Sequence, residues 1–216
     1  MPKPPRVPVL QLSDLHFAHP GQPPLFDGLS LRLPAGLTLL HGDTGSGKTS
    51  LLRLLAGELQ GQGSLVVDGV DQRTHPAGYR QRVGWIDPRD PAWDALTPHE
   101  LMAAQRALHP GLDEAMWRRH AQGFELGPHL AKPMAALSTG SRRKAALAVA
   151  LAGGSALMLL DTPGAGLDAS SLSWLLRALA SIAGRPGQAV LATAGPGLDS
   201  LPRAAEITLP DPPPQR

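Results

Sequence analysis

The sequence predicts an α/β fold with an antiparallel β section near its start and a small helical insertion in its middle. Short apolar runs, of the length of buried strands, dominate the first third of the 216 residues. Apolar residues at helical spacing dominate the middle third, and strand and helix patterns alternate in the last third. Such alternation is typical of a parallel sheet that is covered by helices.

Seven short apolar runs predict the strands. They span residues 9–15, 29–33, 37–40, 65–67, 83–86, 156–160 and 189–191. Asp68-Gly69 follows the fourth of these runs and is a typical two-residue hairpin turn. We therefore expect the chain to reverse direction there.

Apolar residues spaced three and four apart predict five helices. The helices cover residues 48–56, about 98–108, about 113–124, a stretch after residue 138 that ends at residue 153, and residues 169–183. Thr97 and Glu100 form a capping-box pattern, with Pro98 at the first helical position. Gly57 and Gly184 lie where the first and last helices are expected to stop.

Composition excludes several classes of function. The chain has 20 Lys and Arg against 18 Asp and Glu, a balance that does not favour binding to nucleic acid. It has no cysteine, which excludes disulfide scaffolds, zinc fingers and thiol nucleophiles. The longest apolar stretch, residues 145–160, is interrupted by Gly153-Gly154 and is shorter than the roughly 20 residues of a membrane span. No secretory signal is visible, and we expect a soluble globular chain.

A glycine-rich loop follows the third predicted strand and opens the first predicted helix. It matches the pattern G-x-x-x-x-G-K-[ST] at every fixed position. In this context the backbone N–H groups of the loop and of the helix N-terminus converge on phosphate oxygens. We predict that Lys48 reaches the β- and γ-phosphates and that the Thr49 hydroxyl binds Mg²⁺. The predicted nucleotide-binding residues are Gly42, Asp43, Thr44, Gly45, Ser46, Gly47, Lys48, Thr49 and Ser50.

A second Mg²⁺ ligand is predicted at the end of a buried strand. Asp161 directly follows the apolar run 156–160. A carboxylate at that position can hold the metal of a bound nucleotide through water. The predicted cofactors are therefore ATP and Mg²⁺.

A third segment gives the chain a resemblance to a known family. The segment at 137–141 precedes a helix and resembles the signature L-S-G-G-Q of the ATP-binding cassette (ABC) ATPases. Leu137, Ser138 and Gly140 match this signature. Thr139 and Ser141 depart from it. Ser138 also has the pattern of a helix N-cap, and in this family both roles hold at once.

The resemblance extends from the first strand to about residue 209 and implies how one ABC domain, residues 1–216, is organised. Residues 163–168 resemble the family's P-x-x-G-L-D, which ends in the D-loop residue Asp168. The core would comprise residues 7–87 and 137–209. Residues 88–136 would form a helical subdomain, and residues 210–216 a disordered Pro-rich tail.

The resemblance also implies partners and a location. The signature of one subunit would close over the γ-phosphate bound by another, so the chain would pair with itself or with a second cassette. The helical subdomain would contact an integral-membrane permease. The expected location is the cytoplasm, with peripheral attachment at the cytoplasmic face of the inner membrane.

Three positions depart from what the resemblance implies. The glutamate that usually follows the metal-binding aspartate, and that polarises the attacking water, is replaced by Thr162. Ala194 stands where a switch histidine is expected, and Pro88 where a glutamine is expected. A threonine hydroxyl cannot accept a proton at neutral pH, although it can orient a water. Because the three losses lie in separate segments, we expect ATP binding with slow hydrolysis.

The residue that stacks on adenine has two candidates. The resemblance implies an aromatic residue near the end of the first strand, and His19 lies at that position with Phe17 two residues before it. Either ring could stack on a base. Trp85 and Trp93 flank the segment of the expected glutamine, and we interpret them as packing residues.

Three functions are compatible with these motifs. The first is an ABC subunit that dimerises around ATP and powers or regulates a membrane transporter. The second is a soluble, non-hydrolysing switch that uses ATP to control association. The third is a small-molecule kinase, which the signature and the D-loop disfavour.

Overall fold

The computed structural model describes residues 7–210 and contains two β-sheets. A four-stranded sheet has the strand order β2-β1-β4-β5, and all of its pairings are antiparallel. A five-stranded sheet has the order β6-β7-β8-β3-β9, and all of its pairings are parallel. The predicted α/β class with an antiparallel section is confirmed. The predicted tail, residues 210–216, lies outside the described residues except for its first member.

The antiparallel sheet comes from the first third of the chain. Its strands are β1 (Leu10–Ala18), β2 (Pro24–Leu33), β4 (Gln62–Val67) and β5 (Val70–Asp71). Asp68 and Gly69 both have positive φ, 49° and 74°, as the central residues of a type I′ turn do. The predicted hairpin is therefore confirmed, and it places Val67 opposite Val70.

The parallel sheet comes from the rest of the chain. Its strands are β3 (Gly36–His41), β6 (Val83–Gly84), β7 (Leu157–Leu160), β8 (Ala189–Thr193) and β9 (Ala205–Thr208). The apolar runs had predicted all of these strands except β9. Strand β9 lies at the edge of the sheet, where half-buried and exposed residues alternate. An edge strand needs no continuous apolar run, so the pattern of buried strands does not detect it.

The structure contains all five predicted helices and one more. They are α1 (Lys48–Ala56), α2 (Pro76–Arg82), α3 (Pro98–Leu108), α4 (Glu114–Gly123), α5 (Thr139–Ala152) and α6 (Ala169–Ala183). Helix α2 was missed because it is short and buries only Tyr79, whose hydroxyl donates to the Leu55 carbonyl at 2.7 Å. The predicted capping box of α3 is present, with Thr97 and Glu100 each accepting from the other's backbone N–H.

The parallel sheet separates two apolar clusters. Along β7, Met158 and Leu160 face one cluster, whereas Leu157 and Leu159 face the other. The first cluster contains residues of α3, α4, α5 and α6, and the second contains residues of α1 and of the antiparallel sheet. Because a strand buried on both faces is apolar throughout, this layering explains the continuous apolar runs.

The segment between α2 and α5 is mainly helical. It contains α3, α4 and three single 3₁₀ turns. Helix α4 packs against α5, which belongs to the predicted core segment. The predicted division into a core and a helical subdomain stays a prediction.

The longest apolar stretch of the sequence divides into the end of α5 and the strand β7. Between residues 7 and 210, no helix combines the length and the apolarity needed to cross a membrane.

Candidate functional site

The loop between β3 and α1 lies at the carboxyl edge of the parallel sheet. Gly42 has φ of 145° and Gly47 has φ of 93°, conformations that favour glycine. A Cβ on Gly42 would lie 2.5 Å from the Ser46 hydroxyl oxygen, and one on Gly47 would lie 2.9 Å from the Phe26 ring. Both glycines are therefore required by their conformation and by close packing.

The N-terminus of α1 is open to an anion. No side chain caps it, and its first turn has no acidic residue. Lys48, the first residue of the helix, folds back over the loop and donates from Nζ to the carbonyls of Gly42 at 2.6 Å and Asp43 at 2.7 Å. The uncapped helix N-terminus with its dipole and an ammonium group thus lie together, an arrangement that can hold phosphate.

The predicted metal ligands meet although 112 positions separate them. The Thr49 hydroxyl donates to Asp161 Oδ2 at 2.7 Å. The Asp161 side chain is only 11% exposed, so its charge is not dispersed by bulk water. A hydroxyl and a carboxylate oxygen this close together fit Mg²⁺, which usually takes one or two protein ligands, phosphate oxygens and water. The described residues hold no cluster of three His, Cys, Asp or Glu side chains that would form an all-protein metal site.

Thr193 completes this group, and sequence reasoning missed it. The side chain is fully buried at the end of β8, where Oγ1 donates to Asp161 Oδ1 at 3.4 Å and accepts from the Thr162 N–H at 2.6 Å. It therefore connects Asp161, the predicted metal ligand, to the residue at the expected general-base position. The rule that found Asp161, a polar residue ending an apolar strand, could also have found Thr193.

Arg89 is a second residue that sequence reasoning missed. Its guanidinium forms a bidentate pair with Asp87, at 2.9 and 3.1 Å, and lies 3.5 Å from Asp161 Oδ2. Burial would raise the pKa of Asp87, but the hydrogen bonds from Arg89 lower it. Asp87 therefore stays ionised and holds the cation beside the aspartate that is predicted to bind Mg²⁺.

Removing the Arg89 cation should lower the Mg²⁺ concentration that nucleotide binding requires. In Arg89→Gln, we expect half-maximal binding of a fluorescent ATP analogue at an Mg²⁺ concentration about twofold to fivefold lower, because the exposed guanidinium no longer competes for Asp161. Arg80→Gln, an exposed arginine on α2, is the control and should leave the Mg²⁺ titration unchanged. An unchanged or higher Mg²⁺ requirement in Arg89→Gln would contradict this role.

His19 lies beside the loop, as the base-stacking prediction requires. Its Nε2 shares a hydrogen bond of 2.9 Å with Ser50 Oγ, and its ring meets Phe17 edge-on with centroids 4.8 Å apart. Both rings therefore stay candidates for contact with a base. Trp85 and Trp93 pack against the two apolar clusters, one on each side of the parallel sheet, as packing residues do.

The predicted signature, residues 137–140, packs against the predicted D-loop, residues 163–168. Ser138 is the N-cap of α5, and its hydroxyl accepts from the Ser141 N–H at 3.1 Å. A Cβ on Gly140 would lie 3.0 Å from the Gly166 carbonyl oxygen. Within residues 7–210, no hydrogen bond joins Ser138 or Gly140 to the loop at 42–49.

Asp168 begins the last helix and is fixed by several bonds. Its carboxylate accepts from the Lys144 ammonium at 2.5 Å and from the Ser171 N–H at 2.8 Å. These bonds, that of Lys144 foremost, hold the pKa of Asp168 well below its usual range. Lys144 thus bonds α5, the helix that the predicted signature opens, to the predicted D-loop residue.

The structure places the three departing residues at different points around the site. Thr162 follows Asp161, is exposed and has φ of 46°, which is strained for a branched residue. Ala194 continues the pairing of β8 with β3 by donating to the Leu40 carbonyl at 2.9 Å. The Pro88 carbonyl accepts from Arg142 of α5. None of the three supplies a carboxylate, imidazole or amide to the site.

Comparison with known proteins agrees with this geometry. Residues 26–165 match the family model of the ABC transporter. The chain is 36% identical over 176 residues to the cytochrome c biogenesis ATP-binding export protein CcmA of Pseudomonas fluorescens, covering 78% of this chain and 81% of that protein. It is 33% identical to the glutathione/L-cysteine transport system ATP-binding/permease protein CydD of Escherichia coli, covering 79% of this chain and 30% of the relative.

A solved structure of the ATP-binding subunit of an ABC transporter shares the fold. It superposes with a TM-score of 0.80 at 21% identity, covering 93% of this chain and 85% of that one. The family match spans well over half of the chain, and CcmA is matched over most of its length. The chain belongs to the ABC transporter family as an ATP-binding subunit.

Proposed function

We propose that the chain binds ATP–Mg²⁺ on the loop at 42–49, dimerises around the nucleotide and drives or regulates a membrane permease with slow hydrolysis. The observation that carries this proposal is the contact of Thr49 with Asp161 beside an uncapped helix N-terminus. In this arrangement the loop N–H groups and Lys48 hold the β- and γ-phosphates. Bound Mg²⁺ would neutralise phosphate charge, and Thr49 and Asp161 would hold it.

The second half of the proposed site comes from another subunit. Ser138 and Gly140 begin α5, whose first N–H groups suit an anion. They make no hydrogen bond to the loop of their own chain, which supports their use across an interface. The partner is a second copy of this chain or a different cassette.

The names of two relatives support a permease partner and a location. CcmA is named as an export protein, and CydD is named as both ATP-binding and permease protein. We propose an integral-membrane permease subunit as the partner of the present chain. The complex would lie at the cytoplasmic face of the inner membrane.

The residue at position 162 favours a second candidate, an association switch that binds ATP and does not hydrolyse it. Thr162 provides no base, and its N–H is already bonded to Thr193. Such a switch would still dimerise with ATP but would not need a permease. Purification with a multi-span membrane protein would support the transporter subunit over the switch.

Substitutions of Ser138 test dimerisation most directly. In ATP–Mg²⁺ we expect light scattering to show a species of twice the 22.7 kDa chain mass, and in ADP or without nucleotide only the monomer. Ser138→Asp should abolish the dimer, because the new carboxylate caps α5 equally well but repels the γ-phosphate. Ser138→Asn, which caps the helix without a charge, is the matched control and should still dimerise.

Two results would contradict the head-to-tail dimer. One is a monomer under all three conditions at tens of micromolar protein, which would point to a different cassette as partner. The other is full dimerisation of Ser138→Asp.

A further inference from the structure

A cavity of about 120 Å³ lies between α4 and α6 and shares no residue with the nucleotide site. Its volume is several times the roughly 10–15 Å³ that one water molecule needs. Met116 comes from α4, and Ala178 and Ile182 come from α6; together they form its apolar part. The indole of Trp174 forms another wall. It packs so closely against Gly123 of α4 that a Cβ on this glycine would lie 2.1 Å from the indole.

Three guanidinium groups line this cavity. They belong to Arg119, Arg177 and Arg185, and within residues 7–210 none of them forms a salt bridge with a carboxylate. Arg119 and Arg177 lie 6.0 and 5.5 Å from the centroid of the Trp174 ring, within the range of a cation–π contact. Three unneutralised positive charges at one small cavity favour an anionic occupant.

The side chain of His120 adds a buried donor that has no acceptor. His120 is 4% exposed, and its Nδ1 accepts from Trp174 Nε1 at 3.3 Å. Burial, with Arg119 and Arg185 nearby, lowers the pKa of His120 to about 4, so the ring is neutral at pH 7. A neutral ring that accepts at Nδ1 carries its proton at Nε2. That Nε2 has no hydrogen-bond partner and belongs to a residue that lines the cavity.

We propose that the cavity between α4 and α6 binds the phosphate group of a phosphate monoester. A dianionic phosphate has enough oxygens to accept from several guanidinium groups at the same time, and it matches their charge better than a single carboxylate does. The apolar residues and the Trp174 ring would contact the organic part of the ester.

Phenyl phosphate is a suitable probe, and calorimetry on the full chain measures its binding. The experiment is done in a Lys48→Ala background, so that the loop at 42–49 does not compete for phosphate. We expect saturable binding with one site per chain. Arg177→Gln and Arg185→Gln should each weaken it about tenfold, because each removes a charge-assisted hydrogen bond.

Arg118→Gln is the matched control. Arg118 lies on α4 beside Arg119, is exposed and pairs with Glu114, and it does not line the cavity. It should leave the affinity unchanged. Thermal unfolding of each variant establishes that it is folded, and the ¹⁵N shift of His120 Nε2 should move when phenyl phosphate is added to the parent protein.

Vesicles distinguish two sources of the phosphate group. Sedimentation with phosphatidylcholine vesicles that contain phosphatidic acid, but not with phosphatidylcholine alone, would assign a lipid headgroup if Arg177→Gln abolishes it. Binding of phenyl phosphate without vesicle binding would assign a soluble ester. Both results support the site.

Several results would overturn the proposal. They are no binding at millimolar phenyl phosphate, equal affinity for benzoate or for uncharged phenol, and an equal loss of affinity in Arg118→Gln and Arg177→Gln.

Discussion

Lys48→Ala is expected to weaken ATP–Mg²⁺ binding by about a hundredfold, which corresponds to the loss of charge-assisted hydrogen bonds to phosphate. The ammonium group lies over the loop, within 2.7 Å of two of the loop's own carbonyls. It can therefore turn to phosphate oxygens without a large rearrangement. Its removal eliminates the cation at the first position of this helix and leaves more of the phosphate charge to the backbone dipoles and Mg²⁺.

Isothermal titration with ATP–Mg²⁺ measures this effect. Lys132→Ala, an exposed lysine in the segment between α4 and α5, is the control and should bind as the wild type does. A wild-type chain without affinity for ATP at millimolar nucleotide would show that the loop at 42–49 is not a nucleotide site. Equal affinities in the wild type and Lys48→Ala would exclude a role for the ammonium group.

The wild-type chain is expected to hydrolyse ATP about 10²–10⁴ times more slowly than a cassette with a positioned general base. The residue after Asp161 is Thr162, which has no proton acceptor at neutral pH. The transition state of phosphoryl transfer is loose, so positioning and charge neutralisation alone still allow some turnover. We therefore expect slow hydrolysis rather than none.

Thr162→Glu should restore part of the rate, and adding Ala194→His should raise it further. Thr162 has φ of 46°, and glutamate, which is not branched at Cβ, is strained no more than threonine in this conformation. We expect only partial restoration of the rate, because Pro88 still replaces the expected glutamine. Phosphate release under single-turnover conditions measures each variant, and Thr162→Gln is the control that has the length of glutamate without its base.

Fast wild-type hydrolysis that Lys48→Ala abolishes would overturn the prediction of a degenerate site. The nearest alternative group is Asp87, whose carboxylate lies close to Arg89. However, its pKa is lowered and it is already engaged in two hydrogen bonds from that arginine, so it is a poor base. Asp87→Asn would then distinguish a water-positioning role from a structural one by its effect on kcat relative to KM.

Local chemistry explains why much of the fold could be predicted. The glycines at 42 and 47 adopt positive φ, and the turn at 68–69 uses a residue pair that suits it. The strands β3, β7 and β8 are buried on both faces, which requires a continuous apolar run. Where only one face is buried, as in β9, the same reasoning failed.

The candidate site was predicted where its residues follow such elements directly. Lys48 and Thr49 open a helix after a strand, and Asp161 ends another strand, so their meeting at one edge follows from parallel topology. Ser138 and Asp168 begin helices, and both cap them as their residue types allow. Their roles toward a nucleotide remain predictions.

The sequence by itself determined the family and the phosphate-binding pattern, and it predicted the metal ligands Thr49 and Asp161 and the replacement of the general base by Thr162. Each of these depends on residue type and on position within one element. Only the tertiary structure decided which distant side chains meet. It brought Thr193 and Arg89 to Asp161, and it placed the imidazole of His120 beside Trp174. These contacts join residues from 32 to 72 positions apart, and they depend on how helices and strands pack, which no local pattern records.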